Sequence, residues 1–320
     1  MGEINRHELS LGAKKKYDFF IGRGFKPITK DSYFDLAKHK YNSKLAASQP
    51  LLLTSWSFAF HNLYCFLENY LCVIYFYDND IMFSLIKIED SDSDSKQNII
   101  DKLYNMCMEA GCLKLSICLI EESELSNFAN VSGYNIETNY CDDNSEYVFN
   151  PLDILALDGG VNKKKRERFK LCFADKDTDI TVMDGSGMQK VLEIEDEWCG
   201  HNDCTLCSSF IGCEKTTLKT MIDLFDKKIH TGFYMESGGE IIGYMLTELK
   251  NNVAYCYLGK SNKSNYFPYF FFLLAEKYFK NVDYMNLDED LGNQGLRMFK
   301  RGLGKYTLWR KYDCVYRRIG

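Results

Sequence analysis

The 320-residue chain carries 39 Lys+Arg against 45 Asp+Glu, and a net charge of −6 excludes bulk electrostatic attraction to nucleic acid. With 46% hydrophobic and 26% charged residues it holds enough apolar material for a full core, which excludes a disordered chain. The apolar runs Leu71–Tyr77 and Tyr266–Ala275 fall well short of the roughly 18 residues a membrane-spanning helix needs, and the N-terminus lacks a signal-peptide stretch.

Residues 1–50 are polar and mixed, and a compact aromatic run, Trp56 to Tyr64, follows. Tyr70–Tyr77 and Ile81–Ile88 flank Asp78-Asn79-Asp80; two β-rich runs around an Asx-rich turn predict a hairpin. Gln97–Ala110 has helical spacing, stops at Gly111 and leads into a strand over Leu113–Ile120, with a short helix over Glu121–Asn130. The second half repeats this grammar. A helix over Glu214–Phe225 precedes strands Gly232–Glu236, Ile241–Leu249 and Val253–Leu258, joined by Ser237-Gly238-Gly239-Glu240 and Asn251-Asn252. A helix over Tyr266–Phe279, a strand over Tyr284–Leu287, a helix over Gln294–Arg301 and a strand-like closing run Lys305–Tyr316 complete it. An antiparallel meander followed by a helix and a strand is the core order of the GNAT acyltransferase fold, although many α+β domains share that order. The 13 cysteines are odd in number and scattered through apolar segments, so free thiols in a reducing cytoplasm are expected.

The most informative run is Asn286-Leu287-Asp288-Glu289-Asp290-Leu291-Gly292-Asn293-Gln294-Gly295-Leu296-Arg297, with Lys300 beyond it. Arg297 and Lys300 are three apart and share a helix face, opposite carboxylates at a strand end. That pattern suits a substrate site. Asp290 would hold or deprotonate an amine, Asn286 would orient it, and Arg297 and Lys300 would bind phosphate or carboxylate. It equally suits a salt-bridged junction with Asn293 as N-cap.

The chain resembles a bacterial family related to the C-terminal domain of phosphatidylglycerol lysyltransferase. Asn286, Asp290, Leu291, Gly292, Gly295, Leu296, Arg297 and Lys300 match that family's closing pattern in register. Trp56, Phe58, Asn62, Leu63 and Tyr64 match an early segment, and Leu155, Gly160, Lys165 and Arg166 a middle one. Glu167 stands where the family has Asn, and Gly302-Leu303-Gly304-Lys305 where it has Ser-Tyr-x-Pro. The resemblance implies an α+β chain of two tandem GNAT-like domains, as in the Fem-type aminoacyltransferases, each a mostly antiparallel sheet flanked by helices. The expected division is 1–150 and 151–320, with the site in the second. It also implies transfer of an aminoacyl group from aminoacyl-tRNA to an amine or hydroxyl acceptor, on a lipid headgroup at a membrane surface, a peptide or a small molecule. An acetyl-CoA-dependent N-acetyltransferase and a non-catalytic binding protein are the alternatives on the same fold.

Four further features bear on the donor. Asn162–Lys170 packs Lys163, Lys164, Lys165, Arg166, Arg168 and Lys170 into one amphipathic helix, which reads as a solvated face or a phosphate contact in which Lys165 and Arg166 would take part. Residues 296–320 interleave cations with Tyr306, Trp309, Tyr312 and Tyr316, as an RNA-stacking tail or a charge-protected edge strand would. Cys199, His201, Cys204 and Cys207 are weak metal candidates, lacking a standard knuckle spacing, and no metal is expected. Gly259-Lys260-Ser261-Asn262-Lys263-Ser264-Asn265-Tyr266 holds one glycine where CoA-binding relatives of this fold carry a glycine-rich pyrophosphate loop.

Overall fold

The computed structural model describes residues 9–77, 80–89, 96–160, 162–183, 188–201, 213–263 and 266–320. They fall into two compact units, residues 1–142 with 310–320, and residues 143–309. The first unit holds strands β1 (Lys26–Pro27), β2 (Leu63–Leu67), β3 (Tyr70–Tyr77), β4 (Asp80–Lys87), β5 (Leu115–Glu121) and β6 (Tyr134–Tyr140). Its helices are α1 (Leu11–Gly22), α2 (Tyr33–Ala37), α3 (Pro50–Ser55), α4 (Ser57–Phe60), α5 (Lys96–Glu109) and α6 (Leu125–Ala129). The second unit holds β7 (Glu146–Phe149), β8 (Asp179–Val182), β9 (His230–Ser237), β10 (Glu240–Lys250), β11 (Val253–Ser261), β12 (Tyr284–Asn286) and β13 (Thr307–Trp309). Its helices are α7 (Pro151–Leu155), α8 (Lys163–Ala174), α9 (Met188–His201), α10 (Glu214–Asp223), α11 (Tyr266–Lys277) and α12 (Gln294–Arg301). The last strand, β14 (Lys311–Arg318), belongs to the first sheet.

The two sheets share one plan. The first runs β1-β2-β3-β4-β5-β14-β6 and the second β8-β9-β10-β11-β12-β7-β13. In each, four antiparallel strands lead through a helix to a parallel fifth, β5 beside β4 and β12 beside β11. The strand after the fifth is exchanged between sheets. β6 edges the first sheet and leads into β7 of the second, while β13 edges the second and leads into β14 of the first.

Packing explains the runs seen in the sequence. Along β3, Tyr70, Cys72, Ile74 and Phe76 face a core shared with Ile99, Ile100, Leu103 and Cys107 of α5, while Leu71, Val73 and Tyr75 face Leu36, Tyr41 and Leu53. Burial on both faces is why β3 is continuously apolar rather than alternating. Helix α11 is buried around most of its circumference, from Pro268 to Ala275, which accounts for its length of unbroken apolar sequence. No helix among the described residues is long and apolar enough to cross a membrane.

The structure differs from expectation in three places. The closing run Lys305–Tyr316 is two strands in two sheets, because Leu308 and Trp309 pair with β7 while Cys314 and Tyr316 pack into the first core. The compact units therefore divide at 142/143 and 309/310 rather than once near 150. Glu121 ends β5, so the short helix expected from there begins only at Leu125.

Candidate functional site

The run from Asn286 to Lys300 folds into a strand end, a tight loop and helix α12. Asn293 caps α12, its Oδ1 accepting the Leu296 N–H at 3.0 Å. Asp290 is fully buried, and its carboxylate accepts from Arg297 Nε and Nη2, each at 2.8 Å, from Tyr147 Oη at 2.8 Å and from the Gly292 N–H at 2.9 Å. The Arg297 guanidinium also reaches Asp143. These donors, Arg297 first, hold the Asp290 carboxyl down at about 2. A carboxylate with four donors and so low an affinity for protons is a poor base, which corrects the expected role of Asp290.

Lys300 is corrected in the same way. Its ammonium is buried and donates to the carbonyls of Leu287 at 2.6 Å, Asp288 at 3.0 Å and Glu289 at 2.5 Å, so its three protons serve the backbone rather than a phosphate. The loop needs such a clasp. Asp288 and Leu291 have φ of 60° and 51°, a left-handed conformation that non-glycine residues adopt only when surroundings enforce it. Asn286 is buried too, donating to Glu146 Oε2 at 2.6 Å and accepting from the Asp288 N–H at 2.8 Å.

Lys165 and Arg166 also turn inward. Lys165 Nζ donates to the carbonyls of Asp153, Ile154 and Ala156, and burial lowers it to about 8. Arg166 holds the carbonyls of Leu157 and Gly159. Both fasten the turn between α7 and α8 rather than present a phosphate site. The exposed cations of α8 are Lys163, Lys164, Arg168 and Lys170. In the aromatic tail Trp309 and Tyr316 are buried; β13 is an edge strand of the second sheet, whereas β14 lies between β5 and β6. Of the metal candidates, Cys199 lies in α9 beside Glu195, while the His201 side chain, Cys204 and Cys207 lie outside the described residues.

The chemistry-bearing groups the sequence did not reveal surround β11. This strand pairs with β12 only through Val253, Ala254 and Tyr255, then continues to Ser261. The pairing of β11 with β12 thus ends at Tyr255. A bulge interrupts the opposite side, where Leu246 pairs with Leu258 and Thr247 with Cys256, leaving Tyr257 as the extra residue. On one face, register aligns His230, Glu248, Tyr255 and Asn286 across four strands, all buried. Tyr257 Oη donates to Glu248 Oε2 at 2.6 Å, and burial pushes the His230 imidazole down against the pull of Glu248. Toward the end of β11 a second group forms under α9 and α10. Tyr244 Oη donates to the buried Glu195 at 2.6 Å, and the Lys260 ammonium meets Glu214 at 2.5 Å and lies 4.0 Å over the Trp198 ring. Burial raises the Glu195 carboxyl. Glu195, Glu248 and Lys260 escaped the sequence because their spacing resembles ordinary solvated charges on strands and helices.

The equivalent gap in the first sheet is closed. There β4 pairs with β5 at Phe83–Ile117, and residues 40–44 fill in beyond. Tyr41 bridges Ile88, the Asn42 N–H donates to the Lys87 carbonyl, and the Glu89 N–H donates to the Lys40 carbonyl. Ser43 Oγ and the Lys44 N–H both donate to Glu121 Oε1 at the end of β5, at 2.7 and 3.0 Å. The chain's own segment thus fills the place between β4 and β5 where the two strands part.

A family model described as phosphatidylglycerol lysyltransferase, C-terminal, matches residues 62–302. No curated protein matches the chain. Among solved structures, a conserved protein of unknown function from Bacteroides thetaiotaomicron superposes with a TM-score of 0.77 at 17% identity, covering 91% of this chain and 98% of that one. L-PGS from Bacillus licheniformis superposes at 0.57 and 14% identity, covering 90% of each chain. FemX superposes at 0.51 and 11%, covering 90% of this chain and 96% of that one. The fold is therefore α+β with two GNAT-like units, as in these acyltransferase-type structures.

Proposed function

The chain belongs to the phosphatidylglycerol lysyltransferase C-terminal family, and from that membership we propose that it is an acyltransferase whose donor lies along β11 of the second unit. The observation that carries this reading is the early end of β12: its pairing with β11 covers only Val253–Tyr255, while β11 runs on to Ser261 through a bulge at Tyr257. An extended acyl-bearing arm can add to such an edge as a further strand, with backbone hydrogen bonds supplying affinity. The first unit offers no such edge, since residues 40–44 fill it, so it serves as a scaffold.

The donor we favour is an aminoacyl-tRNA. The end of β11 and the residues after it, Gly259 to Lys263, hold one glycine rather than a glycine-rich pyrophosphate cradle, and α8 presents Lys163, Lys164, Arg168 and Lys170 at the surface. The acceptor's amine or hydroxyl attacks the ester carbonyl, the new amide or ester bond forms, and the tRNA 3′-terminal hydroxyl leaves with the proton the acceptor gives up. The residues of the second unit act mainly by positioning these partners. Asn286, Asp290, Arg297 and Lys300 hold the loop that terminates β12, and so hold the gap open.

The test is transfer of labelled amino acid from charged tRNA to a phosphatidylglycerol vesicle or a soluble amine. Label should appear in the acceptor, and tRNA binding should weaken steeply with salt. Salt-independent or absent tRNA binding, with acetyl-CoA instead raising the melting temperature, would move the donor to CoA.

A further inference from the structure

A thiol pair in the first unit, independent of the acyl-transfer reading, has the geometry of a redox couple. Cys107 lies in the last turn of α5 and Cys112 just after the helix. The helix closes at Gly111, whose φ of +78° turns the chain back so that the Cys112 N–H donates to the Cys107 carbonyl at 2.8 Å. The Gly111 N–H donates to the Met108 carbonyl at 3.0 Å, and this paired closure brings together the side chains at the positions of Cys107 and Cys112. Their surroundings differ. Cys107 is in the core with Leu103 and Ile117, whereas Cys112 is partly exposed, and a side chain built at Gly111 would meet nothing within 4 Å. The hydrogen bond with Cys107 and the charge of Lys16 draw the Cys112 thiol down to about 7, against burial and Asp80, while Cys107 is driven up. The other apposed pair, Cys65 and Cys72 on β2 and β3, differs in that Cys72 is sealed in the core and its thiol is raised by burial.

We propose that Cys107 and Cys112 form a reversible thiol–disulfide site for low-molecular-weight disulfides such as oxidised glutathione, with Cys112 attacking and Cys107 resolving. The Cys112 thiolate attacks one sulfur of the reagent, forming a mixed disulfide and expelling one glutathione thiolate. The Cys107 thiol attacks the Cys112 sulfur, closing the internal disulfide, and its proton leaves with the second glutathione as that thiolate is expelled. Two protein thiols are oxidised and one glutathione disulfide is reduced to two thiols.

The experiment treats the full chain with oxidised glutathione, quenches it by alkylation and maps the thiols by mass spectrometry. Tryptic peptide Leu103–Lys114 holds both cysteines. It should lose two hydrogens and resist alkylation sooner than the exposed Cys141 acquires glutathione, and dithiothreitol should reverse this. Cys107→Ala should trap a glutathione on Cys112, while Cys112→Ala should leave Cys107 unmodified. The proposal is overturned if the peptide keeps two free thiols while Cys141 reacts, or if a Cys112 adduct in the unaltered chain persists without closing. Both of these outcomes are read in the unaltered chain, so a variant that fails to fold does not obscure them.

Discussion

At the scale of single residues, the second unit spends its strongest charges on its own backbone. Asp290 has an ordinary carboxyl value near 3.8 and a folded value of about 2, so its ionised form favours the folded state. That contribution, about 2 kcal/mol, is fully present above pH 4 and is lost as pH falls toward 2. Asp290→Asn should therefore lower the urea midpoint at pH 7 by the equivalent of about 3 kcal/mol, because it also breaks a buried pair with Arg297. The difference from the unaltered protein should shrink by pH 3; equal pH slopes in the two proteins would refute this account of the carboxylate. Lys300→Met keeps much of the side-chain volume but leaves the carbonyls of Leu287, Asp288 and Glu289 without their shared donor. A loss of about 2–4 kcal/mol in a denaturant titration is expected, and an unchanged midpoint would show that water or a neighbouring group replaces the ammonium.

At the scale of elements, α8 separates the two kinds of cation that its sequence runs together. Lys165 faces inward and clasps the end of α7, whereas Lys163, Lys164, Arg168 and Lys170 face solvent. Replacing those four by Ala should leave thermal stability within about 1 kcal/mol. In a filter-binding titration it should also lower the log–log salt slope of tRNA binding by about 3 if all four meet phosphate. Lys165→Ala should do the reverse, destabilising the unit without specifically changing the salt slope. A slope unaffected by the fourfold change would remove α8 from the tRNA-binding surface. The amphipathic helix was legible in the sequence, but its buried face holds Lys165, Phe169 and Cys172, while Phe173, on the face of Arg166, is exposed. What the pattern hides is that one lysine on the apolar face reaches the carbonyls that end the preceding helix.

At the scale of the whole molecule, strand exchange makes the two units unequal in continuity. Residues 143–309 include every strand of the second sheet, while the first sheet needs β14 from the far end of the chain. A fragment spanning 143–309 should melt cooperatively when expressed alone. A fragment ending at residue 142 should not, unless 310–320 is added back, because β5 and β6 otherwise lose the strand between them. Cooperative melting of 1–142 by itself, followed by circular dichroism, would contradict this. The sequence by itself determined the α+β class, the repeated strand grammar and the family, since apolar periodicity, turn residues and the register of Asn286 to Lys300 are all local properties of the chain. Only the tertiary structure decided that β13 and β14 part into different sheets, that Asp290 and Lys300 are clasps, and that β12 leaves β11 after Tyr255 while residues 40–44 fill in beside β4. The strand exchange and the Asp290 cluster depend on partners more than 100 positions away, such as Asp143 with Arg297 and Cys314 with Ile117, and a hydrogen bond or strand pairing between such residues leaves no mark on the spacing of either.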